Sequence, residues 1–196
     1  MRNPEYTKNR ILQRSAVLFN TRGYQATSVS DITDATGFTK GAIYRHFKNK
    51  EELERQSLAA MAESMYAKMR AVVKPEPTAG RKLRAIFGFF ESYVTDPPFK
   101  GGCPLMNAAI ESDDASPVLK REALKILDTL RGSIIKIIEN GMKHKQIKQG
   151  VNAEFYATLI IASLEGAIMM GRLQGDNNDI RRVLKHLTAQ LEEIEL

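Results

Sequence analysis

A short basic segment carries side chains that could bind a nucleic acid. Lys40, Tyr44 and Arg45 supply hydrogen-bond donors, and the small residues Gly41 and Ala42 lie between them. Small residues let a helix approach the floor of a DNA groove, while donors beside them reach base edges or phosphate oxygens. Arg45 is the first candidate for sequence specificity, because a bidentate arginine–guanine contact contributes about 1 to 3 kcal/mol of discrimination.

Two short helices are predicted to position this segment. Thr27 or Ser28 can cap the first helix, which Gly37 ends because glycine readily takes the left-handed C-terminal conformation. Thr39 then caps the second helix, which covers residues 40 to about 46 and carries the donors. A longer helix flanks the pair on each side, so the layout is that of a helix-turn-helix DNA-binding motif.

Residues 8–55 closely resemble the DNA-binding part of the tetracycline-repressor (TetR) family of transcriptional regulators. The resemblance lies in the sequences GYQATSVSDI at 23–32 and ATGFTKGAIYRHFKNKEEL at 35–53, and in the spacing of the helices and the order of their caps. Beyond residue 60 it rests on chain length and an all-helical layout. It implies a DNA-binding regulator that usually represses transcription by occluding a promoter, although the sequence does not decide between repressor and activator.

The candidate DNA-binding residues fall into three groups: hydroxyls at helix starts, backbone contacts implied by the resemblance, and candidates for base edges. The hydroxyls at helix starts are those of Thr27, Ser28 and Thr39. The backbone contacts implied by the resemblance are Tyr44, His46 and Lys50. The candidates for base edges are Lys40, Gly41, Ala42 and Arg45. Hydroxyls and free amides at a helix start can hold a phosphate, which is why the first group is included.

Several of these assignments have a structural alternative. Thr39 can be a cap alone, His46 can be a packed or surface histidine, and Gly41 can serve close packing. Four further basic residues form either a solvated face or contacts to flanking phosphates: Arg2, Lys8, Arg10 and Arg14.

The rest of the chain is also predicted to be helical, which makes the fold all-α. Apolar residues recur at three- and four-residue steps almost throughout, and no stretch alternates over six residues as a half-buried strand would. A long helix opening after Asn49 must end at the prolines at 75 and 77. We expect a helix-turn-helix domain at 1–57 and a larger helical domain at 58–196.

The resemblance implies that the C-terminal part dimerises. The last two helices are broadly apolar and carry small residues, as close packing between two subunits requires. The predicted interface comprises Leu159, Ser163, Gly166, Ala167, Leu184, Leu187 and Leu191. The alternative is that these residues form a core within one chain.

The resemblance also implies that the C-terminal part often holds a small effector. Aromatic and other apolar residues at helical spacing, with a few polar groups, form the predicted pocket: Phe87, Phe90, Tyr93, Phe99, Cys103, Met106, Asn107, Ile110, Glu165 and Met169. Asn107 and Glu165 would orient a ligand or else bridge helices. An aromatic stripe of this kind is more often plain core than cavity wall.

Cys103 has two interpretations. It is the only thiol in the chain, and it lies at a predicted helix start, where the helix dipole can make a thiol more reactive. Some relatives with Gly-Cys at this helix start sense electrophiles or oxidants, so the resemblance includes that role. The alternative is a small, inert residue at a helix start.

Composition excludes several classes of function. The 196 residues include 29 Lys and Arg and 23 Asp and Glu, for a formal net charge of +6, and ten of the basic but only six of the acidic residues lie within 1–57. That asymmetry favours a polyanionic partner for the N-terminal part. One cysteine and three scattered histidines make a poor metal set, and no phosphate-binding loop or nucleophile elbow is present, so we expect neither an enzyme nor a cofactor. No signal-peptide pattern or long uninterrupted apolar stretch appears, so we expect a cytoplasmic protein without a membrane partner.

Together these features predict a homodimer that inserts two recognition helices into successive major grooves of double-stranded DNA. Two-fold symmetry then requires a near-palindromic operator with half-site centres about 34 to 36 Å apart, or at a related spacing. An unidentified small-molecule effector would release the DNA. The alternative of a helical scaffold protein predicts no salt-dependent DNA binding.

Overall fold

The computed structural model describes residues 4–112 and 116–196, and in these residues the chain forms nine α-helices. They are α1 (Pro4–Arg22), α2 (Val29–Thr36), α3 (Lys40–Tyr44), α4 (Lys50–Val73), α5 (Ala79–Glu91), α6 (Pro104–Ser112), α7 (Pro117–Lys143), α8 (Ala153–Gln174) and α9 (Asn178–Ile194). The described residues contain no β-strand, only an isolated bridge between Ile147 and Glu195. The all-α prediction is confirmed.

Most helix ends lie where the sequence predicts them, because local chemistry sets them. Gly37 takes the left-handed conformation (φ +71°) at the end of α2, and its N–H donates to the carbonyl of Thr33. The side chain of Asn152 caps α8 by accepting from the N–H of Phe155. The spacing of apolar residues predicts a helix from about Gly80 to Val94, and α5 ends three residues earlier, at Glu91.

The chain divides into two compact units. The N-terminal unit comprises residues 1–64 and 99–126, and the C-terminal unit comprises residues 65–98 and 127–196. α6 and the start of α7 therefore belong to the same unit as the first three helices, although they follow them by some 60 residues or more, and α6 contacts α1. The domain boundary that the sequence predicts after residue 57 stays a prediction.

The N-terminal unit is organised around a small apolar core. Ile11 and Phe19 of α1, Ile32 of α2, and Ile43 and Phe47 at α3 are all at most 1% exposed. Burying such side chains contributes roughly 1.5 to 3 kcal/mol each. Because one face of α3 is anchored in this way, its other face points to solvent.

The C-terminal unit has its own core and an unusually apolar helix. Leu83, Ile134 and Ile168 are at most 1% exposed. α8 is long and apolar enough to cross a membrane by length and composition, which for a single helix is weak evidence of a membrane span, and 39% of its most apolar window is buried inside the protein. Its buried face belongs to the core, and its other face carries the exposed apolar residues described below.

Candidate nucleic-acid interface

α3 and the two residues that cap it carry six of the ten predicted DNA-contacting residues. The Oγ1 of Thr39 caps the helix by accepting from the N–H of Ala42 at 3.3 Å. Tyr44 is 39% exposed, and Arg45 is exposed directly after it, while Ile43 is only 1% exposed. Lys40, Gly41 and Thr39 are also exposed and Ala42 is half-buried. The donors and the small residues are thus available to a ligand, whereas the apolar residues hold the helix in place.

The start of α2 is capped by Ser28, which settles the choice that the sequence leaves open. Ser28 Oγ accepts from the N–H of Asp31, and the Asp31 carboxylate accepts from the N–H of Ser28 at 2.8 Å, which completes a capping box. The hydrogen bonds from Ser28 lower the pKa of Asp31 below its ordinary value. Ser28 remains exposed at a helix start, where a phosphate can bind.

The sequence offers Thr27 as an alternative cap of α2 and as a candidate phosphate contact, but Ser28 is the cap and Thr27 has another role. Its side chain is fully buried, and its Oγ1 donates to the carbonyl of Gly23 at 2.7 Å. It therefore stabilises the turn between α1 and α2. A buried hydroxyl with a backbone partner is not available to a phosphate, so we withdraw Thr27 from the candidate contacts.

Lys50 is already engaged within the protein. Its Nζ donates to the carbonyl of Tyr24 at 2.6 Å and lies 3.1 Å from a carboxylate oxygen of Glu54. Burial raises the pKa of Glu54, and this effect exceeds the opposing influence of Lys50. Since an ammonium group has three donors, one of them remains for a phosphate, as the sequence predicts.

The remaining basic residues vary in accessibility. His46 is half-buried, with its ring tilted against that of Phe47 at a centroid distance of 6.3 Å. Lys8 lies over the Phe47 ring at 6.0 Å from its centroid, which uses its charge in a cation–π contact. Arg10 and Arg14 are exposed on α1, and Arg2 lies outside the described residues. Lys48, which the sequence reasoning did not select, is exposed shortly after α3 and adds a positive charge to the same region.

Comparisons with known proteins agree on one family. Residues 11–55 match the family model described as bacterial regulatory proteins, tetR family, and residues 79–187 match the tetracyclin repressor-like C-terminal domain, which is more than half of the chain. The chain belongs to the TetR family. It is therefore a DNA-binding transcriptional regulator, not an enzyme, and regulators of this family bind DNA operators and small-molecule effectors, usually as dimers.

Individual TetR-family proteins match over nearly their whole length. The transcriptional repressor DhaR from a Mycobacterium species is 24% identical over 90% of this chain and 88% of its own. The regulator TtgR from Pseudomonas putida is 26% identical over 89% and 84% of the two chains. A crystal structure of a TetR transcriptional regulator from Chloroflexus aurantiacus superposes with a TM-score of 0.95, at 34% identity and with both chains fully covered.

The ten predicted pocket residues do not form one cluster in either unit of this TetR-family protein. Five of them, Phe99, Cys103, Met106, Asn107 and Ile110, belong to the N-terminal unit, and the other five, Phe87, Phe90, Tyr93, Glu165 and Met169, belong to the C-terminal unit. Phe90 and Tyr93 stack on each other at 5.3 Å and are at most 4% exposed, as in a core. Ile110 and Met169 are 74% and 45% exposed.

Asn107 has a structural role in place of ligand contact. Its Nδ2 donates to the carbonyl and Oδ1 of Asn20 and to the carbonyl of Gly101, at 3.0 to 3.1 Å. The bonds to Asn20 connect α6 to the end of α1, which is the bridging role that the sequence leaves open for Asn107 beside orienting a ligand. In the C-terminal unit a groove of about 730 Å³ between α7 and the residues around the start of α5 is lined by none of the ten predicted residues. Of the predicted residues, Phe99 lines a cavity of about 440 Å³ in the N-terminal unit and Phe87 lines one of about 310 Å³ in the C-terminal unit, so the position of the effector pocket stays a prediction.

Four of the predicted interface residues are core residues of a single chain. Ala167 is fully buried, and Leu184, Leu187 and Leu191 are 2 to 8% exposed. A second copy cannot reach side chains that the chain's own helices cover, so the core alternative applies to them. Leu159, Ser163 and Gly166 are only half-buried and stay candidates for an interface.

Cys103 is 2% exposed, which argues against easy access for a reagent. We expect a disulfide-exchange reagent to modify it roughly a hundredfold or more slowly in the native protein than in urea, because reaction requires local opening. The rate of colour release in the two conditions measures this ratio. Equal rates would show that the thiol opens freely and would restore the electrophile-sensor interpretation.

Tyr24 is a buried polar side chain in the turn between α1 and α2. It is 2% exposed and stacks on Phe19 at 5.1 Å, and no partner for its hydroxyl lies among the residues that the structure describes. Burial raises the pKa of this phenol far above its ordinary value, with a smaller contribution from the charge of Glu111. Its neutral form is therefore strongly favoured in the fold.

Tyr24→Phe is expected to raise the free energy of unfolding by about 1 kcal/mol, because it removes a buried hydroxyl without a partner. Since only the unfolded chain ionises Tyr24 readily, the parent loses stability as the pH rises above about 10, and the variant loses less. Urea unfolding at pH 8 and pH 10.5 measures both effects. Tyr6→Phe, at a position that is 60% exposed, is the control. A Tyr24→Phe protein less stable than the parent at pH 8 would contradict the argument.

Proposed function

We propose that this protein represses transcription by binding a near-palindromic operator as a homodimer, and that a small-molecule effector releases it. The exposed donors at α3 carry the proposal: Lys40 and Tyr44 lie on the helix and Arg45 follows directly after it, while Ile43 fixes the opposite face in the core. In this proposal Arg45 contacts base edges and Tyr44 contacts the DNA backbone. Repression is supported by DhaR, a relative named as a repressor.

The homodimer is supported by an unpartnered apolar stripe on α8. Phe155, Met169 and Leu173 are 58%, 45% and 82% exposed, and Leu159 and Gly166 are half-buried between them. These positions recur at helical spacing along one face, so a second copy can cover them together. A C2 pairing through this face is self-complementary, and it gives the dimer the symmetry of a palindromic operator.

The effector is proposed to be a small molecule of unidentified chemistry. Among the cavities of the C-terminal unit, the groove of about 730 Å³ is within the size range of small-molecule sites, and its lining includes Lys82, Lys136 and His144. A ligand can release DNA only by as much as its affinity differs between the DNA-bound and released states. As a DNA-binding regulator, the protein is proposed to act in the cytoplasm.

The test is selection of bound fragments from random and genomic DNA at two salt concentrations. The parent protein is expected to enrich an inverted repeat, with weaker binding at higher salt because counterions are released when phosphates are neutralised. Arg45→Ala and Tyr44→Phe should each enrich it less. Light scattering on the complex should give two chains per operator or a multiple of two.

The outcome against the proposal is equally specific. A folded, dimeric parent freed of small molecules by unfolding and refolding, yet enriching no sequence at low salt, would overturn it. The refolding step matters because a co-purified effector would otherwise produce the same result.

A further inference from the structure

The turn between α1 and α2 is held by a carboxylate that is remote in the sequence. Glu111, near the end of α6, accepts from the backbone N–H of Tyr24 at 2.7 Å and from that of Gln25 at 3.2 Å, both through Oε2. Gly23 makes room for it, because a Cβ at that position would lie 2.9 Å from the same oxygen. Hydrogen bonds to an ionised acceptor are about twice as strong as neutral ones.

The same turn is held from the other side by Lys50. While Glu111 accepts from the N–H of Tyr24, the Nζ of Lys50 donates to the carbonyl of Tyr24. The Tyr24 ring between them is buried and stacked on Phe19. Both polar backbone groups of one residue are thus held by charged side chains of opposite sign from two different helices, α6 and α4.

α6 is itself fixed to α1 at its other end. The Nδ2 of Asn20, which is 4% exposed, donates to the carbonyls of Lys100 and Gly102, and Asn107 donates back to Asn20. These bonds place the start of α6 against the end of α1. Glu111, one or two turns further along α6, is therefore held at a defined distance from the turn.

The turn in question leads directly to the start of α2. Ser28 caps that helix and is exposed, so that a phosphate could reach it, and it is only three residues beyond Gln25. Thr27 ties the intervening chain back to Gly23. A shift of the Tyr24 and Gln25 peptides would consequently move the amides at the start of α2, and with them the helix that packs beside α3.

We propose that Glu111 is a positioning residue for operator binding, which fixes the turn before α2 and so the orientation of the DNA-contacting helices. The inference rests on the proposed function. It extends the DNA-binding apparatus beyond the helix-turn-helix segment that matches the family model, residues 11–55, to a side chain on α6. Glu111 touches no DNA in this proposal and acts only through the peptides of Tyr24 and Gln25.

Three variants of the full chain test the proposal: Glu111→Ala, Glu111→Gln and the control Glu63→Ala, which removes an exposed carboxylate on α4 within the same unit. The probes are the operator duplex recovered with the parent and a random-sequence duplex. Glu111→Ala is expected to weaken operator binding about 3- to 30-fold, with random-duplex binding within twofold of the parent. Glu111→Gln keeps an acceptor oxygen and should recover part of the loss, and Glu63→Ala should bind as the parent does.

Two further readouts separate positioning from a general loss of structure. Binding is measured at least 15 °C below the unfolding temperature of each variant, so that all of them are folded, and light scattering checks that they are dimeric. Amide hydrogen exchange at Tyr24 and Gln25 should accelerate in Glu111→Ala. Operator affinity equal to that of the parent, with or without faster exchange, would overturn the proposal, as would an equal loss on both duplexes. A parent that binds no operator would instead refute the proposed function.

Discussion

Arg45→Ala is expected to weaken binding to the selected operator by about 1 to 3 kcal/mol, which is roughly a 5- to 150-fold rise in Kd. The side chain is exposed directly after α3, next to Tyr44 and four residues after the small residue Gly41. A guanidinium in this place can donate to two acceptors of one guanine, a geometry that alanine cannot replace. The loss should therefore be largest at one base pair of each half-site.

The measurement is a titration of operator duplexes that carry single base-pair changes, with parent and variant side by side. The parent should discriminate against a change at the contacted guanine, and Arg45→Ala should bind the changed and unchanged duplexes nearly alike. Lys48→Ala is the matched control, because it removes a positive charge from an exposed position close to α3. Lys48→Ala should change the affinity for all duplexes to the same extent, and any loss of affinity should come with a weaker dependence of binding on salt.

Retained discrimination at every position in Arg45→Ala would contradict this assignment. Sequence specificity would then have to come from Lys40, from the backbone near Gly41 and Ala42, or from the deformability of the operator. The folded fraction is not expected to change, since the side chain is exposed and the helix is held by Ile43 and Phe47.

The elements of this fold could be predicted from the sequence because their ends are set by neighbouring residues. Gly37 ends α2 and Thr39 caps α3 through contacts within four residues of each. Asn49 likewise accepts from the N–H of Glu52 at the start of α4, and the Glu52 carboxylate accepts from the N–H of Lys48. Such interactions depend on local sequence, and the donor face of α3 follows from the same helical spacing.

Contacts between remote residues could not be predicted in this way. Periodicity identifies Leu184, Leu187 and Leu191 as one apolar face, but it does not say whether the same chain or a second copy covers that face. Glu111 lies 86 and 87 residues from the backbone groups that it contacts. Nothing in the spacing of either segment specifies that pairing, so the sequence reasoning missed it.

Gly101→Ala is expected to lower the free energy of unfolding by about 3 kcal/mol. Gly101 has a φ of +103°, which side-chain-bearing residues rarely adopt, and a Cβ there would lie 2.1 Å from the carbonyl oxygen of Asn20. The obstacle is backbone rather than the flexible end of a side chain. To relieve this clash, the loop before α6 would have to move away from α1.

That movement would break the bonds that hold the start of α6. The Nδ2 of Asn107 donates to the carbonyl of Gly101, and that of Asn20 donates to the two carbonyls on either side of Gly101. We therefore expect Gly101→Ala to lose operator affinity as well as stability, since Glu111 depends on the position of α6. Urea unfolding measures the first effect, and titration of the operator well below the unfolding temperature measures the second.

Gly88→Ala is the matched control, because Gly88 is exposed within α5 and a Cβ there meets nothing within 4 Å. Alanine is the better helix former, so the free energy of unfolding of this variant should rise by roughly 0.5 to 1 kcal/mol. If the free energy of unfolding falls in Gly101→Ala and rises in Gly88→Ala, the loss of stability at Gly101 comes from its backbone conformation and from the contact with Asn20, not from adding a methyl group. A Gly101→Ala protein as stable as the parent would mean that the loop before α6 can move without loss, and would leave α6 without the anchor on which the role of Glu111 depends.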